Sequence, residues 1–361
     1  MANKIGLHVN TWTGTATATI RASPPNCLKI LSTAVNHDEL KRWRDQRPFG
    51  DLIYREFIAD DRLDNVQARC DQLLLHVNLI RDLVNFVETP WNEQHQGNND
   101  FADLDAYTDA TIKAVDILHA DGLRVLVGHF SVGNPADIAG DWPHFHPAIR
   151  AADGLSLHEY SAPTMQDVVD FRCLRYRKVY AQLPLDCRKS LYISECGIDT
   201  GVIHPDGRDH GWRSQQGTTA DAYVSQLRWY AQEIAKDSYV KGATIFACGT
   251  FADGDPIFTS FDVAGVPEIQ SFLKEDFPQP DGGGHNVNAQ FTLGFATFHH
   301  ADPVLIGDPL ENAWGSATGN VHQGTTGGEL LWHKAADRMY FADKAGILWE
   351  FGPAGVKQVH P

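Results

Sequence analysis

Basic residues are scarce in this chain: 30 lysines and arginines stand against 46 aspartates and glutamates, a formal charge of −16. Phosphate backbones are held by clustered Lys and Arg, and no long basic block occurs, which argues against nucleic acid as a partner. Long apolar runs are missing too. None approaches the ~20 residues that cross a bilayer, and no apolar leader with a small-residue cleavage site opens the sequence, so membrane insertion is not expected. Cysteine is sparse and scattered. The six, at 27, 70, 173, 187, 196 and 248, lack the close pairs of a zinc site or a disulfide-dense scaffold. Most read as small buried hydrophobes, and Cys173 with Cys187, then Cys196 with Cys248, are the best candidates for a bridge. Phosphate-cradling glycine loops are absent, and the glycines around Ser131 are wrongly spaced for a nucleophile elbow. No cofactor is indicated.

What is present is a repeating pattern. Hydrophobic content of 43% and charged content of 21% over 361 residues suit one large domain, or one with a small appendage. Short apolar runs alternate with amphipathic stretches as far as about residue 277, the signature of a parallel sheet covered by helices. Eight runs stand out: Ile5 to Trp12, Cys27 to Leu31, Leu52 to Ile58, Leu83 to Glu88, Arg124 to Gly128, Gly154 to Tyr160, Leu191 to Glu195, and Ala243 to Thr250. Among the helical stretches, Phe101 to Ala120 has N-cap oxygens in Asn98-Asn99-Asp100 and a stop at Asp121-Gly122, whereas Pro135 to Ala152 predicts only a short helix. The spacing predicts an α/β fold, a (β/α)8 TIM barrel over residues 1–277. A Pro/Gly linker over 278–286 follows, and the short aromatic runs of 287–361 predict a small β-containing C-terminal module, with Phe291 to Ala301 as a candidate short helix.

Two glutamates about a hundred residues apart fall at or just beyond the ends of the fourth and seventh runs, in Asn92-Glu93 and Ser194-Glu195. Strand ends on the C-terminal face of a barrel carry its chemistry, and strands three units apart aim into one cleft from opposite sides. Cleavage of a glycosidic bond with retention needs one carboxylic acid to protonate the leaving oxygen and a second carboxylate to attack the anomeric carbon. Glu93 suits the general acid/base and Glu195 the nucleophile. Asn92 is placed to hydrogen-bond the hydroxyl next to the reacting carbon, and Arg55 to keep a nearby carboxylate ionised. Trp91, Tyr160 and Trp212, with Trp12, Trp142 and Phe145, are candidates to stack on sugar faces. His8, His129 and His158 end three different strands, but His8-Val9-Asn10 lacks the paired histidines of a zinc hydrolase. No catalytic metal is expected, and His8 and His129 read as polar lining of a sugar cleft. Glu88 and Glu159 compete for the catalytic parts, and alternation assigns them supporting or packing roles.

The run Glu88-Thr89-Pro90-Trp91-Asn92-Glu93 resembles the fourth-strand signature of the clan A glycoside hydrolases, where an Asn-Glu pair carries the general acid/base. Ser194-Glu195-Cys196-Gly197 is similar to their seventh-strand nucleophile segment, and Leu157-His158-Glu159-Tyr160 to the sixth strand, which implies contact of Tyr160 and His158 with the nucleophile. Two departures stand out: the family's early-strand arginine is usually on the second strand, whereas Arg55 is on the third run, and the tryptophan that floors the sugar on the eighth is replaced by Phe246 and Phe251. The resemblance implies a retaining glycosidase acting on a β-linked poly- or oligosaccharide. A lysin of peptidoglycan glycan strands and a catalytically silent glycan-binding barrel are the rivals. Gln323 to Ala335 resembles a small C-terminal module of bacterial and phage envelope hydrolases, which implies association with an envelope or polysaccharide and an extracellular or envelope location. A β-rich cap is the other reading of that segment.

Overall fold

A computed structural model describes residues 3–59, 62–94, 101–203, 211–214, 218–250 and 256–277. Beyond these it describes Phe295, Ile306, 314–315, 321–325, 328–333, 338–343, 348–352 and 355–359. The chain divides into two compact units, Ala2–Gln279 and Pro280–Pro361.

In the first unit, strands and helices alternate from the start. They are β1 (Ile5–Val9), α1 (Gly14–Ala22), β2 (Cys27–Leu31), α2 (His37–Gln46), β3 (Asp51–Arg55), α3 (Val66–Val77), β4 (Phe86–Glu88) and α4 (Phe101–Ala120). Then come β5 (Val125–Phe130), α5 (Trp142–Ala151), β6 (Gly154–Ser161), α6 (Arg175–Gln182), β7 (Ser190–Ile198), α7 (Ala220–Ala235), β8 (Val240–Cys248), α8 (Pro256–Thr259) and α9 (Pro267–Phe272). The eight strands close in sequence order into a parallel barrel, so each run expected to be a strand becomes one. Strands covered on both faces must be apolar outward, and helices must bring one apolar stripe to meet them. On α7 that stripe is Tyr223, Val224, Leu227, Tyr230, Ala231 and Ile234, and the helix begins where the Thr219 hydroxyl accepts from Ala222 N. On α2 the Asn36 side chain caps Glu39 N, Asp38 and Glu39 meet the helix dipole, and Leu40 and Trp43 are buried. The residues expected to cap α4, Asn98 to Asp100, lie outside the described residues, while Gly122 ends it with φ +80°. α5 is as short as its prolines suggest, ten residues with Pro147 inside.

Period-two alternation sorts the barrel interior into layers. Cys27, Ile53, Phe86, Leu126 and Tyr192 form an apolar plug at the strand starts. Two residues further along four of those strands stand Lys29, Arg55, Glu88 and Ser194, and the interior turns polar. Neither candidate disulfide forms, for all six cysteines are buried free thiols. Cys196 lies opposite Ile245, so Cys248 is three residues, about 10 Å, further along the neighbouring strand, too far for a bridge. Cys187 instead turns to the His146 carbonyl at 3.6 Å. Among the described residues no helix is long and apolar enough to cross a membrane.

The second unit holds β9 (Trp314–Gly315), β10 (Val321–Gly324), β11 (Gly328–His333), β12 (Arg338–Asp343), β13 (Leu348–Gly352) and β14 (Gly355–Val359). Each pairs antiparallel with its sequence neighbour. The register aligns Leu330, Phe341 and Trp349 on one face, beside Trp332, Met339, Phe351 and Val356. With Phe295 and Ile306 these residues make a small core of their own. The expected linker at 278–286, and all of Phe291 to Ala301 except Phe295, lie outside the described residues.

Barrel closure depends on backbone approach at Gly6, where an added Cβ would stand 1.7 Å from the Cys27 carbonyl oxygen. Gly6→Ala is expected to cost upwards of about 2 kcal/mol in urea unfolding. Gly14→Ala, with nothing within 4 Å, should be close to neutral. Equal effects would contradict this packing.

Candidate active site

The deepest charged layer is built on β2 and β4. Lys29 is fully buried, with Nζ 2.9 Å from Glu88 Oε2 and 3.2 Å from Glu195 Oε1. On the other side of Glu88 the Ser156 hydroxyl donates to Oε1 at 2.9 Å, and the Ser156 and Ser194 hydroxyls lie 2.6 Å apart. Alternation alone would send Ser194 inward and Glu195 outward. The β6 and β8 registers both shift around these residues, and the irregularity lets both side chains face the barrel axis. Ile193 and Cys196, on either side, remain in the outer core.

Glu195 is gripped at both oxygens. Oε1 lies 3.1 Å from Arg55 Nη1 as well as near Lys29, and Oε2 accepts from the Tyr160 hydroxyl at 2.8 Å. His8 Nδ1 and His158 Nδ1 each stand 3.6 Å from it. Glu93 reaches the same place from the loop after β4. Its N–H donates to the His129 carbonyl at 3.1 Å, and its backbone and that of His129 adopt φ of +53° and +34°, strained for side-chain-bearing residues. His158 Nδ1 is 2.8 Å from Glu93 Oε1, so one imidazole stands between the two glutamates. The Glu93 side chain is 28% exposed and that of Glu195 only 7%, which puts one at the mouth and the other in the floor.

Burial works against the charged form of Glu195, but His158, Lys29, His8 and Arg55 outweigh it and hold the carboxyl well below its ordinary range. Burial also opposes the Glu88 anion, and Lys29 and His129 overcome it in the same way. His8 is kept neutral by its own desolvation and by Lys29, so at neutral pH Lys29 and Arg55 are the fixed cations of the site. Burial lowers His129 to about 3. Glu159 is pushed up to about 7 by burial and serves the fold: it accepts from Leu174 N, Tyr176 N and the Tyr230 hydroxyl, holding the start of α6.

The expected residues therefore separate into two groups. Arg55, Tyr160 and His158 meet Glu195, and Asn92 lies beside Glu93 with its Oδ1 buried and without a hydrogen-bond partner among the described residues. Phe246 is half-buried on β8, its ring edge-on to His8 at 5.2 Å and to Tyr160 at 6.4 Å, whereas Phe251 lies outside the described residues. Others are corrections. His8 and His129 are fully buried and line no cleft: His8 backs Glu195, and His129 bonds the Thr89 hydroxyl at 2.9 Å beside Glu88. Trp91 is packed edge-on to Tyr107 with Nε1 donating to the Arg62 carbonyl, and it offers no sugar a face. Trp212 is stacked on Tyr223, covered by the Arg213 guanidinium and tied to the Phe261 carbonyl. Sequence reasoning missed Lys29, whose signal was a lone charge centred in the apolar run Cys-Leu-Lys-Ile-Leu, where a buried partner is obligatory.

Glu93, His158 and Glu195 each place one atom within 4.8 Å of the other two, close enough to surround a divalent ion. Such an ion would meet two fixed cations, since Glu195 is already paired with Lys29 and Arg55. The donor set is better matched to moving a proton than to holding a metal.

The buried groups dictate a pH dependence of stability. His8 and His129 stay neutral in the fold, while the unfolded chain protonates them below about pH 6.5. Their contribution is therefore present above about 6.5 and lost as pH falls toward their folded values. Glu159 acts oppositely: its folded value of about 7 exceeds the unfolded one, so its contribution is lost as pH rises through that interval. Burial also lowers His146 and raises Asp51, so three histidines stand against two carboxyls between about pH 4.5 and 6.5, where stability should rise with pH. His129→Asn should reduce that slope in urea unfolding by about one proton. An unchanged slope would contradict a neutral buried His129.

The chain matches no protein-family model and no curated protein. Similar solved structures include a GH128 subgroup I endo-β-1,3-glucanase from Amycolatopsis mediterranei in complex with laminaritriose, 14% identical, with a TM-score of 0.48 over 76% of this chain and 100% of that one. A GH128 subgroup VI exo-β-1,3-glucanase from Aureobasidium namibiae is 11% identical, with a TM-score of 0.43 over 76% and 98% of the two chains. A glycoside hydrolase family 17 β-1,3-glucanosyltransferase from Rhizomucor miehei is 12% identical, with a TM-score of 0.45 over 72% and 92%. The barrel itself stands on its closed order of eight parallel strands.

Proposed function

We propose that this chain is a retaining glycoside hydrolase acting on a β-linked poly- or oligosaccharide, with Glu93 as general acid/base and Glu195 as nucleophile. One observation carries the reading: Glu93 and Glu195 each bring a carboxylate oxygen within 4.8 Å of the other, with His158 between. Double displacement works with carboxyl groups ~5–5.5 Å apart, whereas inversion leaves room for a water at ~6.5–9.5 Å.

The chemistry follows from the difference in depth. Glu93, at the mouth, gives its proton to the leaving oxygen as that oxygen's bond to the anomeric carbon breaks. Glu195, held as an anion, forms the new bond to that carbon. Glu93, now ionised, takes a proton from water, the water oxygen attacks the anomeric carbon, and the Glu195 carboxylate departs. Asn92 would hold the adjacent sugar hydroxyl, and the Phe246 and Tyr160 edges would border the reacting ring. No feature of the described C-terminal strands supports association with an envelope.

A panel of β-glucans, exopolysaccharides and purified cell walls tests the reading, with laminari-oligosaccharides included because a similar barrel binds one. Anomer-resolved NMR of the first product is expected to show the substrate's own configuration, and inversion would contradict the assignment. Glu93→Ala should slow cleavage of unactivated glycosides by about 10²–10⁴-fold and activated aryl glycosides far less, because their leaving groups need no proton. Full turnover of an aryl glycoside by Glu195→Gln would remove Glu195 from the mechanism.

A further inference from the structure

Lys29 has no part in the bond changes just described, yet it is as fully enclosed as Glu88, the carboxylate beside it. Its Nζ stands 2.9 Å from Glu88 Oε2, 3.2 Å from Glu195 Oε1 and 3.4 Å from Ser194 Oγ, with no solvent exposure. A lysine almost never loses all contact with water unless its charge is matched, and here two carboxylates match it. Glu88 is fully buried beneath the site, where its other oxygen is held by Ser156. Below the pair the Thr244 hydroxyl donates to the Ser194 carbonyl at 2.5 Å, bracing the stretch of β7 that carries Glu195.

We propose that Lys29 is a positioning residue that divides its charge between Glu195 and Glu88: it fixes the nucleophile's Oε1, and Glu88 limits how strongly it does so. This inference rests on Glu195 being the nucleophile. A lysine committed to Glu195 alone would bind the anion too tightly and weaken its attack, while without a lysine Oε1 would keep Arg55 as its one fixed cation and the carboxyl would protonate more readily. Sharing also keeps the interior balanced through the reaction. Before attack, Lys29 and Arg55 face Glu88 and Glu195. Once Glu195 is esterified, Glu88 still neutralises Lys29. Arg55, whose side chain is 12% exposed, then keeps its contact with water.

Every element around the nucleophile enters its titration. His8 comes from β1, Lys29 from β2, Arg55 from β3, Glu93 from the loop after β4, and His158 and Tyr160 from β6. Ser194 lies next to Glu195 on β7, and β8 adds no charge there but brings the Thr244 hydroxyl on the Ser194 carbonyl and the Phe246 ring, which packs on His8 and Tyr160. Glu88 in turn faces Lys29, Ser156 and His129 Nδ1 at 3.9 Å.

The test uses the full chain labelled with carboxyl-13C glutamate, with Glu195→Gln to assign the Glu195 signal. In Lys29→Met the Glu195 carboxyl is expected to titrate about one pH unit or more above wild type, and the acid limb of kcat/KM should move with it. Glu88→Gln should move both the other way and lower kcat/KM by about tenfold through a weaker nucleophile. Because Lys29→Met strands the buried Glu88 charge, the double variant Lys29→Met/Glu88→Gln, which buries no unpaired charge, is measured beside it and should keep the upward shift. An unmoved Glu195 titration in the double variant would overturn the role of Lys29. If wild type cleaves no glycan but the titration still shifts, the glycosidase reading falls and the hold of Lys29 on Glu195 stands. If wild type is active and neither titration nor acid limb moves, the role of Lys29 falls alone.

Discussion

A lysine cut off from water must find its counter-charge inside the protein, and in this barrel that requirement organises the charged groups inside the strands' C-terminal half. Lys29 draws Glu88 from two strands away and Glu195 from across the barrel. The Ser156 and Ser194 hydroxyls meet beside that pair, and Thr244 holds the Ser194 carbonyl. The irregularity in β7 belongs to the same constraint, since a regular strand could turn inward either Ser194 or Glu195 but not both. Beneath this layer the apolar plug of Cys27, Ile53, Phe86, Leu126 and Tyr192 keeps water from the strand starts. An uncompensated charge in such surroundings would cost several kcal/mol.

The two glutamates differ because the polypeptide delivers them differently. Glu195 is part of a strand and inherits the fixed cations of the barrel wall. Glu93 comes on a loop with a strained backbone, tied to the His129 carbonyl, and its carboxyl stands near water and His158. A deep carboxylate kept ionised and a shallower one near water form the arrangement that the proposed double displacement calls for.

Much of this was legible before any coordinates. Eight apolar runs in order imply the closed barrel, and the positions of Asn92-Glu93 and Ser194-Glu195 on the fourth and seventh place two carboxylates at one mouth. Arg55 could be found as a lone cation at a strand end, and Tyr160 and His158 through the resemblance of Leu157-His158-Glu159-Tyr160 to the sixth strand of the clan A hydrolases. What could not be read was depth. Trp91 and Trp212 are aromatic residues near strand ends like Tyr160, but their rings turn into helix packing, and no local pattern distinguishes the two directions. His8 and His129 end strands as His158 does, yet they sit under the carboxylates rather than beside a substrate. Lys29 required knowing that β2 faces Glu88 and Glu195, a fact of closure rather than of sequence spacing.

The central claim is that Glu195 bonds to the sugar. Incubation with a 2-deoxy-2-fluoro-β-glycoside bearing a good leaving group, which slows release of the glycosyl-enzyme, followed by peptide mass spectrometry, addresses it directly. The account predicts a single adduct of one sugar on the peptide containing Glu195, absent in Glu195→Gln and discharged on addition of an acceptor. An adduct on Glu93 or Glu88 would contradict it, as would release of the fluorosugar with inverted configuration and no bound intermediate.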